Sequence, residues 1–246
     1  MLSVMRRELS AFFHSYRGYA FIGIFAIVFC SFQLVYHAYD LGEVVLVLES
    51  ASYGFYVLEH WLEFLPIAFT AAIPMLTCGM FTREQQDGTG SFVRSLPITA
   101  KDILFGKYLA ALFLFIVSYI CFILIAAFTG LYSGIGGMRI LISFIFYILV
   151  CNAVLAIQLF VAAVCKNKYM SFALGIGVSA LLIVLTCIRN IGSGVLKSII
   201  TSLSVIGTYA SSVYGIFDIT ALVLCVTVFL LFIYLAYTFV KKRIKI

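Results

Sequence analysis

The residues best equipped for chemistry cluster in two short stretches. In "HAYDLGE", His37, Asp40 and Glu43 recur at three-residue steps, and in "LEHWLE", Glu59, His60 and Glu63 stand together. Imidazole and carboxylate in such a mixture are divalent-cation donors. The plainer account is an acidic, hydrated mouth beside a membrane. His37, Asp40, His60 and Glu63 are therefore kept as weak metal candidates, and no metal is assigned. Nucleotide chemistry is not expected either. The phosphate-cradling G-x-x-x-x-G-K-[ST] pattern is missing, and its nearest fragment, Gly106-Lys107-Tyr108, lacks the upstream glycine and the hydroxyl. The patterns H-E-x-x-H and G-x-S-x-G are missing too. The chain is read as no enzyme, and any work it does draws energy from elsewhere.

The elements around these residues follow from composition. Of 246 residues, 64% are hydrophobic and 11% charged, and the mean hydropathy is +1.17. A soluble domain carries roughly 25% charged residues, so this is an integral membrane protein. A helix needs about 20 apolar residues to cross the hydrocarbon core. Six charge-free runs qualify: Gly18–Tyr39, Phe64–Thr82, Tyr108–Met138, Ile140–Cys165, Tyr169–Ile188 and Ile219–Val240. They lack the alternation of β-barrel strands. The expectation is one all-α domain over 1–246, with spans at 18–39, 62–82, 104–128, 140–165, 169–188 and 219–240.

Charge placement sets the orientation, because short cytoplasmic loops collect Lys and Arg. With both termini inside, the inner segments hold 13 of the 16 basic residues, and the outer loops keep only Arg139, Arg189 and Lys197. The net charge of +6 then reports membrane orientation and anionic headgroups rather than nucleic acid. A bacterial cytoplasmic membrane is the expected location. A seventh run, Ser198–Phe217, holds seven Ser/Thr and two Gly. Segment 195–217 is read as an outer interfacial or re-entrant piece, with Val195, Leu196, Ile199, Ile200, Leu203 and Ile206 at helical spacing. At the other end, residues 1–17 predict an amphipathic helix on the inner leaflet. Leu2, Met5, Leu9, Phe12, Phe13 and Tyr16 form its apolar face, with Val4 the exception; Arg6, Arg7, Ser10, His14 and Arg17 take the other side.

Within the spans, Gln33, Thr70, Asn152 and Gln158 are the polar residues that could line a substrate path, although hydrogen bonding between helices is the favoured reading. Asn152 and Gln158 are too far apart around the helix to form one site. Ser171, Gly175 and Ser179 make a small-residue ridge suited to close helix packing, within the chain or between subunits. Pro66 and Pro74 should break or kink the second span. The seven cysteines read as small buried hydrophobes, without paired spacing.

One polar stretch interrupts this apolar chain: "REQQDGTGSFVRSLPIT", Arg83 to Thr99. The second span should continue as helix through Gln86 and stop at Asp87-Gly88. A short helix can follow until Leu96-Pro97 ends it, and Thr99-x-x-Asp102 reads as a capping box opening the next helix. Phe92, Val93 and Leu96 make the segment an apolar knob fit for another protein's groove.

Here the sequence resembles the permease subunits of ABC-2 type exporters, the short six-span kind found in gliding-motility and copper-maturation systems. Glu84, Gly88-Thr89, Phe92-Val93 and Ser95-Leu96-Pro97 follow that family's pattern after the second span, with Gly106-Lys107 at the foot of the third. "MRRELSAFFHSYRGYAFIGIF" is similar to its opening, and "YGIFDIT", with Asp218, to the stretch before its last span. Arg83 and Ser91 depart from the pattern, standing where the family favours acids. The resemblance implies that residues 87–98 are a coupling element seated on a separate ATP-binding subunit, using Glu84, Asp87, Gly88, Thr89, Phe92, Val93, Arg94, Leu96 and Pro97. It implies that the N-terminal helix, with Arg6, Arg7, Glu8 and Arg17, is the connecting helix. It also implies a second permease copy or sister permease, with ATP and Mg on the partner subunit and none on this chain. The alternatives are an ion-coupled carrier or channel, which would want charge inside the spans, and an intramembrane enzyme, which would want clustered catalytic groups there.

Overall fold

The computed structural model describes residues 2–14, 16, 18–27, 51–82, 99–133, 137–188 and 204–245. Every regular element among them is helical: α1 (Leu2–Phe13), α2 (Gly18–Ile27), α3 (Ala51–Thr77), α4 (Ala100–Ser133), α5 (Gly137–Val164), α6 (Lys168–Ile188), α7 (Tyr209–Val213) and α8 (Ile219–Lys245). Stretches of α5, α6 and α8 (Leu141–Val164, Lys168–Ile188 and Ile219–Lys242) are long and apolar enough to cross a membrane. Two shorter apolar helical stretches, Gly18–Ile27 and Glu63–Thr77, accompany them. Helix α4, at 34 residues, is about 51 Å long, well beyond the roughly 30 Å of a hydrocarbon core.

Helix α5 is the axis of the bundle, packed by α3, α4, α6, α7 and α8. Between helices in lipid the hydrophobic effect gives little drive, so close packing must hold them. Ala153, Ala156, Ala162 and Ala163 of α5 are buried and let its neighbours come near. Larger side chains meet as a continuous run of rings. Phe25, Phe21, Phe69, Phe115, Tyr147 and Tyr209 follow one another at centroid distances of 5.0, 6.4, 4.7, 5.7 and 6.0 Å, crossing from α2 through α3, α4 and α5 to α7.

Helix α3 departs from expectation at both ends. It begins at Ala51, includes Glu59, His60 and Glu63, and stops at Thr77 rather than continuing toward Gln86. Cys78 N–H donates to Pro74 O at 2.9 Å and Met80 N–H to Thr77 O at 3.2 Å, while Gly79 takes φ of +79°. A glycine in the left-handed region just past the last turn is the usual helix stop, and Gly79 reaches that position before Gly88 can. The helix also runs unbroken through Pro66 and Pro74.

The small-residue ridge of α6 packs inside the chain, not between subunits. Ser171, Gly175 and Ser179 are buried, while Phe172, Leu174, Ile176, Leu181 and Val184 point outward. A Cβ on Gly175 would lie 3.2 Å from both Gln158 Oε1 on α5 and Pro74 Cβ on α3. Glycine there brings three helices together.

At the far end of α5, Arg139 and Ser143 clamp the last carbonyls of α7. Arg139 Nε donates to Val213 O at 2.8 Å and Ser143 Oγ to Ser212 O at 2.7 Å, and the guanidinium lies 5.6 Å from the Tyr214 ring centre. The helix in the expected outer segment is thus Tyr209–Val213, with a turn at 205–208; residues 195–203 lie outside the described set. Ser204 ties this turn to α6 through Thr186, 3.2 Å away. Asp218 opens α8, accepting from the Thr220 N–H at 2.9 Å and the Thr220 hydroxyl at 2.6 Å. That hydroxyl above all holds the Asp218 carboxyl below its usual range.

Candidate functional site

Residues 103, 104, 107, 108, 110, 111 and 114 form the buried stripe of α4. All are apolar or aromatic except Lys107, whose exposure is 0%. A buried ammonium is tolerated only if its lost hydration is replaced. Groups from α1 and from the end of α3 replace it. Lys107 Nζ donates to Glu8 Oε1 at 2.7 Å, donates to Met80 O, and sits 5.4 Å from the centre of the Phe81 ring. The Met80 carbonyl lies just past the end of α3, where backbone acceptors have no partner within the helix. One side chain therefore joins α1, the end of α3 and the start of α4.

This junction brackets the 83–98 segment. Its first arm leaves from Met80, Phe81 and Thr82, all buried. Nearby, Cys78 Sγ donates to Lys168 O at 3.5 Å, tying the end of α3 to the start of α6. Its second arm re-enters at Thr99, where the capping box forms. Asp102 Oδ2 accepts from the Thr99 hydroxyl at 2.6 Å and the Thr99 N–H at 3.3 Å, and Asp102 N–H donates back to Thr99 Oγ1 at 3.3 Å. The Thr99 hydroxyl is the main reason that the Asp102 carboxyl titrates below its usual range. Both arms thus end on α4, one through the chain and the other through Lys107.

The same pair sets the roll of α1. Val4, expected as the exception, is 6% exposed, and Phe12 is also buried, whereas Phe13 and Tyr16, expected on the apolar face, are exposed, Tyr16 at 70%. The face turned to α4 is Val4, Glu8 and Phe12, flanked by Met5 and Leu9. Burying Glu8 against Lys107 outweighs the purely apolar roll. Arg6, Arg7, Ser10 and His14 are exposed, and Arg7 lies 3.5 Å from Glu8.

The other sequence-derived residues fall elsewhere. Gln33, His37, Asp40, Arg17 and all of 83–98, including Glu84, Asp87, Gly88, Thr89, Phe92, Val93, Arg94, Leu96 and Pro97, lie outside the described residues. Glu63 is partly buried on α3, three residues before Pro66. Thr70 Oγ1 donates to Pro66 O at 2.7 Å within α3. Asn152 Oδ1 accepts from Tyr108 OH at 2.6 Å, and Asn152 Nδ2 donates to Ile148 O at 2.8 Å. Gln158 Nε2 donates to Gly175 O at 3.0 Å and Ser179 Oγ at 2.9 Å. These three residues join neighbouring turns and helices rather than one another.

Sequence reasoning places Gly106-Lys107 only at the foot of the third span and gives Lys107 no partner. The available signal was its place at i+4 from Ile103 and i−4 from Ala111, which puts a charge on an apolar stripe and calls for an acid partner.

A helical bundle of apolar spans with a polar, capped root defines a multi-pass membrane protein. The profile of ABC-2 family transporter proteins matches residues 44–244, and the chain belongs to that family. Permeases of this family work with an ATP-binding subunit. No curated protein matches the chain.

Proposed function

We propose that the chain is the permease subunit of an ATP-driven exporter, with six spans and both ends on the cytoplasmic side of a bacterial cell membrane. Segment 83–98 is its contact with a separate ATP-binding subunit that carries the ATP and Mg. In this reading Glu84, Asp87, Thr89 and Arg94 make the polar contacts, Gly88 the turn, and Phe92, Val93 and Leu96 an apolar seat closed by Pro97. A second permease copy, or a sister permease, completes the path.

The observation that carries this reading is Lys107. It binds Met80 at one root of the segment and Glu8 of the connecting helix, on a helix capped at the segment's other root. Movement of the segment is thereby delivered to α4 from both sides and to α1 through a charged hydrogen bond. The carrier alternative needs an intramembrane charge free to exchange partners, whereas Lys107 is already neutralised by Glu8.

The test is purification of the tagged chain in gentle detergent from its native membrane, with assay of the co-purifying ATPase. A stoichiometric ATPase that is lost on Phe92→Asp or Leu96→Asp, with the membrane domain still folded, is the expected result. A clean preparation with no nucleotide-binding partner, or full coupling in both variants, would overturn the proposal.

A further inference from the structure

At the end of the bundle where α4 starts and α8 finishes, two lysines converge on one ring. Lys101 Nζ, in the first turn of α4, lies 6.0 Å from the centre of Tyr237, and Lys241 Nζ, near the end of α8, lies 5.9 Å from the same centre. Both lysines are exposed. Lys242 adds a third ammonium beside Phe239, at 6.0 Å. Two like charges sharing a ring repel, and the ring face offsets only part of that. Among the described residues no carboxylate pairs with either lysine. The adjacent acid, Asp102, is committed to the Thr99 cap. Among the described residues the arrangement lacks an anion.

The surface leading away from the lysines says which kind. Phe105, one turn beyond Lys101, is exposed on α4. Tyr234 and Leu230, one and two turns before Tyr237, are exposed at 66% and 59% on α8. Helices α4 and α8 pack against each other, so the two ridges lie side by side. Each is headed by a lysine and continues as apolar surface, with a tyrosine at the boundary, where aromatic rings favour the membrane interface. A free phosphate would use the lysines alone, whereas an anionic phospholipid uses both the charge and the apolar seam.

We propose that Lys101 and Lys241, sharing the ring of Tyr237, bind the phosphate headgroup of an anionic phospholipid whose acyl chains lie along the α4–α8 seam. The site does not depend on the chain being an ATP-driven exporter, only on its lying in a bilayer.

The purified full chain in mild detergent can be titrated with phosphatidylglycerol and, separately, phosphatidylcholine, with bound lipid counted by native mass spectrometry. Phosphatidylglycerol should bind more tightly. Lys101→Gln/Lys241→Gln should weaken it by about fivefold per lysine, while Lys101→Arg/Lys241→Arg and the exposed control Lys166→Gln leave it unchanged. The lysines are exposed, so the variants should fold, and monodispersity together with retention by the Arg pair checks this. Equal binding of phosphatidylcholine, or unchanged phosphatidylglycerol affinity in the Gln pair, would overturn the proposal. Displacement of the lipid by glycerol 1-phosphate at the same concentration would make this a free-anion site and overturn it too.

Discussion

Lys107 is a buried cation with partners from α1 and from the turn that ends α3. Removing one partner of such a pair costs more than removing both, because the survivor keeps its desolvation without compensation. Glu8→Ala should therefore cost about 3 kcal/mol, read as the unfolding midpoint in mild detergent. The apolar pair Glu8→Leu/Lys107→Met should recover most of that loss, leaving mainly the Met80 carbonyl unpaired at about 1–2 kcal/mol. A double variant as unstable as the sum of the single ones would disprove the coupling. Asp102 supplies a pH signature. Its folded carboxyl titrates below the ordinary range through the Thr99 hydroxyl. A lowered folded value means stability present above the unfolded value of about 3.9 and lost as pH falls below it. The advantage of wild type over Asp102→Asn should thus be constant at neutral pH and shrink below about pH 4, in thermal melts of both proteins. The capping box was legible, since Thr99-x-x-Asp102 is a local pattern. The Lys107–Glu8 pair was not, since nothing local links residues 99 positions apart.

At the scale of elements, the fate of α6 and α7 rests on single close approaches. Leucine at Gly175 would meet Gln158 and Pro74 at once, so Gly175→Leu should destabilise by about 1–3 kcal/mol through overpacking. Gly177, whose Cβ position is open, should accept the same change with little effect on the detergent melting point. Arg139→Ala should release the α7 carbonyls, and faster amide exchange over 209–215 than over α5 would register it; equal protection in the variant would argue against the clamp. The sequence revealed the α6 ridge from spacing alone, but not its partner, because a small-residue face fits another subunit as well as a neighbouring helix. The roll of α1 and the early end of α3 were illegible for a related reason. Each turned on one residue, Glu8 or Gly79, whose contribution exceeded the average of its neighbours. The prolines misled as breakers because α3 is held on several sides, and its neighbours keep the helix continuous where an isolated one would fray.

Over the whole molecule, composition determined the class and periodicity the helices, and the family profile over residues 44–244 agrees with both. What periodicity could not reveal is that α5 is central, because every span is apolar on all sides and none advertises its depth. The Lys107–Glu8 contact also has a consequence in time. Glu8 leaves the ribosome 99 residues ahead of its partner. The first helix must therefore wait, its carboxylate hydrated, while α2 and α3 are made. Lys107 in turn meets an apolar surrounding with its counter-charge already synthesised. The buried cation never has to be buried alone, and the N-terminal helix is locked in place only once α4 has arrived.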